Sequence, residues 1–102
     1  MKESCRQFLN EQFDGDADVV EAIYAEYTDS IRAKLEEAEQ AFAKRDWVAL
    51  DVVAHTIKGN ALVAGDNETA ETAIALRSAA KLNEEAQVQE LCGRLRKLAG
   101  EL

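Results

Sequence analysis

Proline is absent from these 102 residues, and histidine occurs once, at position 55. Without proline no segment loses a backbone donor or has φ locked, so helices can run uninterrupted. Few turn residues and many Ala, Leu, Glu and Lys side chains favour helix throughout. A lone histidine excludes a di-iron bundle, which needs Glu-x-x-His pairs on two helices; the residue three before His55 is Val52. Ligand clusters for zinc are missing as well, so no metal site is expected. No Gly-rich loop of the P-loop or dinucleotide kind is present, so any phosphate chemistry must draw on another protein's nucleotide. No stretch of about 18 apolar residues exists to span a membrane, and the start, MKESCRQFLNEQF, has no apolar run of signal-peptide length. A cytoplasmic location is therefore expected. Only two cysteines occur, Cys5 and Cys92, far apart and each on an apolar helical face, which reads as buried thiols in a reducing compartment. Positive charge is in deficit: 12 basic against 20 acidic residues give a net charge of −8, which repels nucleic acid and anionic lipid.

What is present is amphipathic helix. The expectation is one domain over residues 1–102, with helices at about 2–13, 18–44, 46–64, 67–82 and 84–99. The first shows Cys5, Phe8, Leu9 and Phe13 on one side and stops at the turn Phe13-Asp14-Gly15-Asp16. The second opens at Asp18, with Glu21 as a capping-box partner, and carries the longest apolar stripe: Val20, Ile23, Tyr24, Tyr27, Ile31, Leu35, Ala38 and Phe42. Asp46 reads as the N-cap of the third, and Gly65 with Asp66 and Asn67 as its stop and the next start. The fourth turns Ala70, Ala73, Leu76 and Ala80 inward. Asn83 with Glu84 and Glu85 opens the fifth, whose Val88, Leu91, Cys92, Leu95 and Leu98 face the core. Short links then predict an all-α fold, an antiparallel up-down-up-down four-helix bundle with a short additional N-terminal helix across one end.

The third helix holds the informative stretch, AHTIKGNALVAG at 54–65. At about 100° per residue, with Leu50 at zero, Leu50, Val53, Ala54, Ile57, Ala61 and Ala64 fall within roughly 60° of the origin, whereas His55 falls near 140°. The histidine thus points away from the core. Lys58, Gly59 and Asp51 lie about one turn from it, and Val48, Val52, Leu62 and Val63 share the outer half, between roughly 120° and 220°, where a solitary helix would be polar. A glycine inside a helix costs about 0.5 to 1 kcal/mol relative to alanine, and packing does not explain it on an outward face. Its use is access: with no side chain one turn along, the imidazole is open to a large partner, and the apolar ring gives that partner something to bury. Lys58 brings positive charge within reach of an anion on the ring. Asp51 reads first as an exposed acid without a role; the alternative is that it accepts a hydrogen bond from the inner ring nitrogen. Tyr24, Tyr27 and Trp47 read as core or core-edge aromatics.

This stretch resembles the histidine phosphotransfer (HPt) domains of phosphorelays. Their motif is His, two residues, Lys, Gly, usually a small residue, then a second Gly closing the helix, here His55, Lys58, Gly59 and Gly65. Asn60 stands where Ser or Ala is common, and Asp66 where a small apolar residue is typical. The resemblance implies a stand-alone phosphorelay protein in which His55 reversibly carries a phosphoryl group on its outer ring nitrogen between receiver-domain aspartates. Lys58 would help neutralise the group, and Gly59 would leave room for the receiver. It further implies a response-regulator receiver and a hybrid sensor histidine kinase as partners, with the divalent metal supplied by the receiver. This chain would hold no cofactor or ATP site and would not be an enzyme by itself. Val48, Val52, Leu62, Val63 and Asp51 are the expected docking residues, and a monomer with neither nucleic acid nor membrane as partner is expected. The other readings are a non-phosphorylated module that sequesters a receiver or kinase, and a structural bundle that self-associates through the four apolar side chains.

Overall fold

Aspartates mark where three of the helices begin. The carboxylates of Asp16, Asp46 and Asp66 each accept from the backbone N–H three residues on, at Val19, Ala49 and Thr69, satisfying donors that have no partner within the first turn. In a computed structural model describing residues 1–102, these caps open α2 (Ala17–Ala43), α3 (Trp47–Ala64) and α4 (Asn67–Lys81). Before them lies α1 (Glu3–Gln12), after them α5 (Glu85–Gly100), and there is no strand. The start of α2 differs from the sequence expectation: Asp16 is the cap, and Asp18 falls inside the first turn. Either residue satisfies the capping pattern, and the tight turn at Asp14-Gly15 selects the earlier one.

Each link reverses the chain through a residue in the left-handed region: Asp14 and Gly15, Arg45, Gly65, and Asn83. Asn83 therefore ends the turn with φ 54° and does not cap α5; Glu84 takes the cap position without a side-chain hydrogen bond. Asparagine tolerates the left-handed conformation for the same reason that it favours caps, its short side chain bonding locally, so spacing alone does not separate the two uses. Arg45 is held by its own reach. Its guanidinium donates to the Phe42 carbonyl at 2.6 Å, lies 4.4 Å above the Phe42 ring centroid and pairs with Glu85 across the bundle.

The links are short, so successive helices run antiparallel, and α2 closes the ring against α5. The inward faces supply Ile31 and Leu35 from α2, Leu50 and Ile57 from α3, Leu76 from α4, and Val88 and Leu95 from α5. Alanines on α3 and α4 are buried among them, which lets those two helices approach closely. Val53, Phe42 and Trp47, expected on the apolar faces, are half-buried against this core. At about 1.5 Å per residue the 27 residues of α2 span about 40 Å, which sets the long axis of a molecule measuring 43 × 19 × 18 Å. No helix is long and apolar enough to cross a membrane.

The first helix lies across α2 and α3 and is fixed there by a buried polar cluster. Asp66 is fully buried. Its carboxylate accepts from Lys2 Nζ at 2.8 Å, from the Tyr27 hydroxyl at 2.7 Å and from the Thr69 hydroxyl at 2.7 Å. The Lys2 backbone N–H donates to the Tyr24 hydroxyl at 3.2 Å. Beside the cluster Phe8 packs onto Gly65, so tightly that a Cβ built there would sit 2.4 Å from the Phe8 Cβ. Gly65 thus has two reasons to be glycine: φ of 75°, and the close approach of α1.

Candidate functional site

The burial pattern of α3 divides it lengthwise. Leu50, Ala54, Ile57, Ala61 and Ala64 are buried. On the opposite side His55 and Gly59 are exposed, and Lys58 is half-buried. Around the histidine the exposed fractions are 78% for Val48, 60% for Val52, 49% for Leu62 and 69% for Val63. Four branched aliphatic side chains on one outward face form an apolar collar that no part of this chain covers. Nothing lies within 4 Å of the Cβ position at Gly59, so the absence of a side chain is not required by any neighbour within the chain. What the glycine leaves is open space one turn from the imidazole. No carboxylate lies within ion-pair distance of Lys58, and no hydrogen bond engages His55. A nucleophilic ring, a free cation and an open approach thus share one face.

The family model for the Hpt domain matches residues 22–102, from the first turns of α2 to the end of α5. The chain belongs to the Hpt domain family. It is accordingly a phosphotransfer module of two-component signalling, a phosphocarrier without an ATP site, of a kind that interacts with receiver domains and kinases in phosphorelays. No curated protein and no solved structure gives a significant match. The match leaves out α1 and the opening of α2, so the additional N-terminal helix lies outside the part of the chain that the Hpt model matches.

Asp51 corrects one expectation. Its carboxylate accepts from Arg77 Nε of α4 at 3.0 Å, a half-buried contact that ties the histidine helix to its neighbour. No hydrogen bond joins Asp51 to His55, one turn away. Spacing within one helix shows what can meet along that helix, and an arginine from another helix is invisible to it.

Asn60 and Asp66, where the sequence departs from the usual Hpt pattern, both make contacts away from His55. The Asn60 side-chain amide donates to the Ser30 hydroxyl at 2.8 Å, bridging α3 to α2. Asp66 is the hub of the cluster that holds α1. Between α2 and α3, next to Asn60, runs a groove of about 340 Å³ whose lining includes Phe13, Ile23, Glu26, Tyr27, Asn60 and Val63. Val63 belongs to both the collar and the groove. Phe13 was expected on the buried side of the first helix, but it caps the end of α1 and is exposed at the groove's edge.

No group of three or more His, Cys, Asp or Glu side chains is placed to hold a metal ion. Cys5 and Cys92 are buried, unpaired and on different helices. Burial pushes both thiols up, Cys92 to about 11 with the nearby Glu39 carboxylate adding to the effect, so neither is a ready thiolate.

Proposed function

We propose that His55 is the phosphorylated residue of a phosphorelay intermediate that passes a phosphoryl group reversibly between receiver-domain aspartates. The observation that carries this reading is the exposed imidazole inside an uncovered apolar collar, with open space at Gly59 and an unpaired Lys58. A neutral imidazole attacks phosphorus with the lone pair of its outer nitrogen. The N–P bond forms as the P–O bond to the aspartate breaks, and the aspartate leaves as carboxylate with the bonding pair. The proton on the inner nitrogen stays, leaving a positively charged ring beside the dianionic phosphoryl group. Lys58 offsets the remaining negative charge on the phosphoryl oxygens. The return reaction is the same step reversed, with the receiver contributing the aspartate and its divalent metal.

Docking supplies position. Holding imidazole and acyl phosphate in contact replaces a bimolecular encounter, and the collar of Val48, Val52, Leu62 and Val63 is the surface that a receiver would bury. Asp51, anchored by Arg77, marks the collar's polar edge on the α4 side. On this reading the chain acts as a monomer in the cytoplasm, and a hybrid sensor histidine kinase is the source of the phosphate.

The test is transfer from a phosphorylated receiver domain to the purified chain. The product should be acid-labile and base-stable, as a phosphohistidine is, and His55→Gln should keep the helical content and abolish labelling. Transfer retained by His55→Gln, or a base-labile product, would refute the assignment.

A further inference from the structure

Charge is scarce along α3. Besides His55, Asp51 and Lys58 are its only acidic or basic side chains, one lying a turn before the histidine and the other a turn after it. Side chains four apart on a helix have Cβ atoms about 5 to 6 Å from each other, so an uncompensated Asp51 would act on the imidazole and on any group the ring carries. Both effects oppose phosphate. A nearby carboxylate favours the imidazolium, whose nitrogen lone pair is lost to the proton, and it repels a dianionic phosphoryl group. The net charge of −8 on the whole chain works in the same direction.

Arg77 of α4 counters this. Its Nε donates to Asp51 Oδ1 at 3.0 Å, and the two side chains are only 28% and 25% exposed, so water and salt screen the pair less than they would on an open surface. We propose that Arg77 is a positioning residue for phosphoryl transfer, which neutralises Asp51 and holds it toward α4 so that the charge of Lys58 stands uncompensated beside the ring. Asp51, Lys58 and Arg77 sum to +1, whereas Asp51 and Lys58 alone cancel. No hydrogen bond joins Arg77 to His55, and its action passes through Asp51. This rests on the carrier reading of His55 and adds to it a contribution from a second helix.

The experiment labels the purified chain with phosphoramidate, a small donor that gives up its phosphoryl group with loss of ammonia and needs no protein docking. Rate and final yield of phosphohistidine are compared for the parent, Arg77→Gln, Arg77→Lys and the double variant Asp51→Asn/Arg77→Gln, each checked for helical content. An exposed unit-charge pair shifts an equilibrium by up to about fivefold, and a dianion feels more. Arg77→Gln is therefore expected to lower rate and yield by about threefold to tenfold. Arg77→Lys, which keeps the charge, should stay within about twofold of the parent. The double variant breaks the tie between α3 and α4 just as Arg77→Gln does, yet it removes the stray carboxylate, so it should also return to within about twofold. In 1 M salt, where screening acts over about 3 Å, the Arg77→Gln defect should fall below about twofold. Labelling of Arg77→Gln equal to the parent overturns the proposal and leaves the carrier reading intact. So does a defect that the double variant and high salt leave unchanged, since Arg77 would then act only by joining the helices. A parent chain that takes no label at His55 removes the carrier reading, and this inference with it.

Discussion

Gly59 separates stability from recognition at a single position. It sits in the middle of α3 with nothing within 4 Å of where a Cβ would be, so Gly59→Ala meets no obstacle within the chain. Alanine restores about 0.5 to 1 kcal/mol of helix stability, and in a domain of this size that raises the thermal midpoint by about 3 to 6 °C. The same methyl group stands beside the imidazole in the path of a partner. Calorimetric melting should show the gain while receiver binding weakens; a variant less stable than the parent would mean that the glycine serves the fold. The outward direction of His55 was legible because a helix has a fixed period and the buried side of α3 is unbroken from Leu50 to Ala64. The engagement of Asp51 was not, because its partner Arg77 lies 26 positions away on another helix.

Helix ends tell a similar story. Asp46 was readable as a cap because one candidate precedes one apolar stripe; Asp16 and Asp18 compete at α2, and Asn83 takes the left-handed turn instead of the cap. Gly65 was readable as a stop to α3, whereas the second demand upon it, from Phe8, depends on where α1 comes to rest. The two demands can be separated by comparing Gly65→Ala with Gly15→Ala. Both glycines have positive φ, 75° and 72°, but a Cβ at Gly15 meets nothing within 4 Å. Each substitution costs about 1 to 2 kcal/mol for placing an L-residue in the left-handed region, and Gly65→Ala adds about 1 to 3 kcal/mol for forcing Phe8 aside. Chemical denaturation should therefore rank Gly65→Ala well below Gly15→Ala; equal losses would show that Phe8 moves away freely.

Across the bundle, the polar cluster at Asp66 couples segments 64 positions apart, which is why the sequence showed only a cap and an unusual residue there. Burial by itself pushes the Asp66 carboxyl up. The hydrogen bonds from Lys2, Tyr27 and Thr69, with the charge of Lys2, outweigh it and hold the carboxyl below its usual range. A carboxyl depressed in the folded state contributes stability that is complete above its unfolded pKa of about 3.9 and is lost as pH falls below that, toward the folded value. Lys2 has the opposite sense: burial lowers it, the Asp66 contact more than compensates, and the net rise keeps its contribution intact below its ordinary value of 10.5. The difference in thermal midpoint between the parent and Asp66→Asn should thus be full at neutral pH and shrink as the solution is acidified below about pH 4. A difference that stays constant down to strong acid would show that the charge on Asp66 contributes nothing. Throughout the neutral range both partners stay ionised, so the Lys2–Asp66 pair that holds α1 keeps its charge.

That anchorage has a practical side. Lys2 is one residue from Met1, and its backbone N–H is bonded to Tyr24, so whatever is joined ahead of Met1 emerges next to the clasp that seats α1. A purification handle fused there crowds the clasp and, if made of histidines, adds surplus imidazoles to a protein whose only native one is the proposed reactive group.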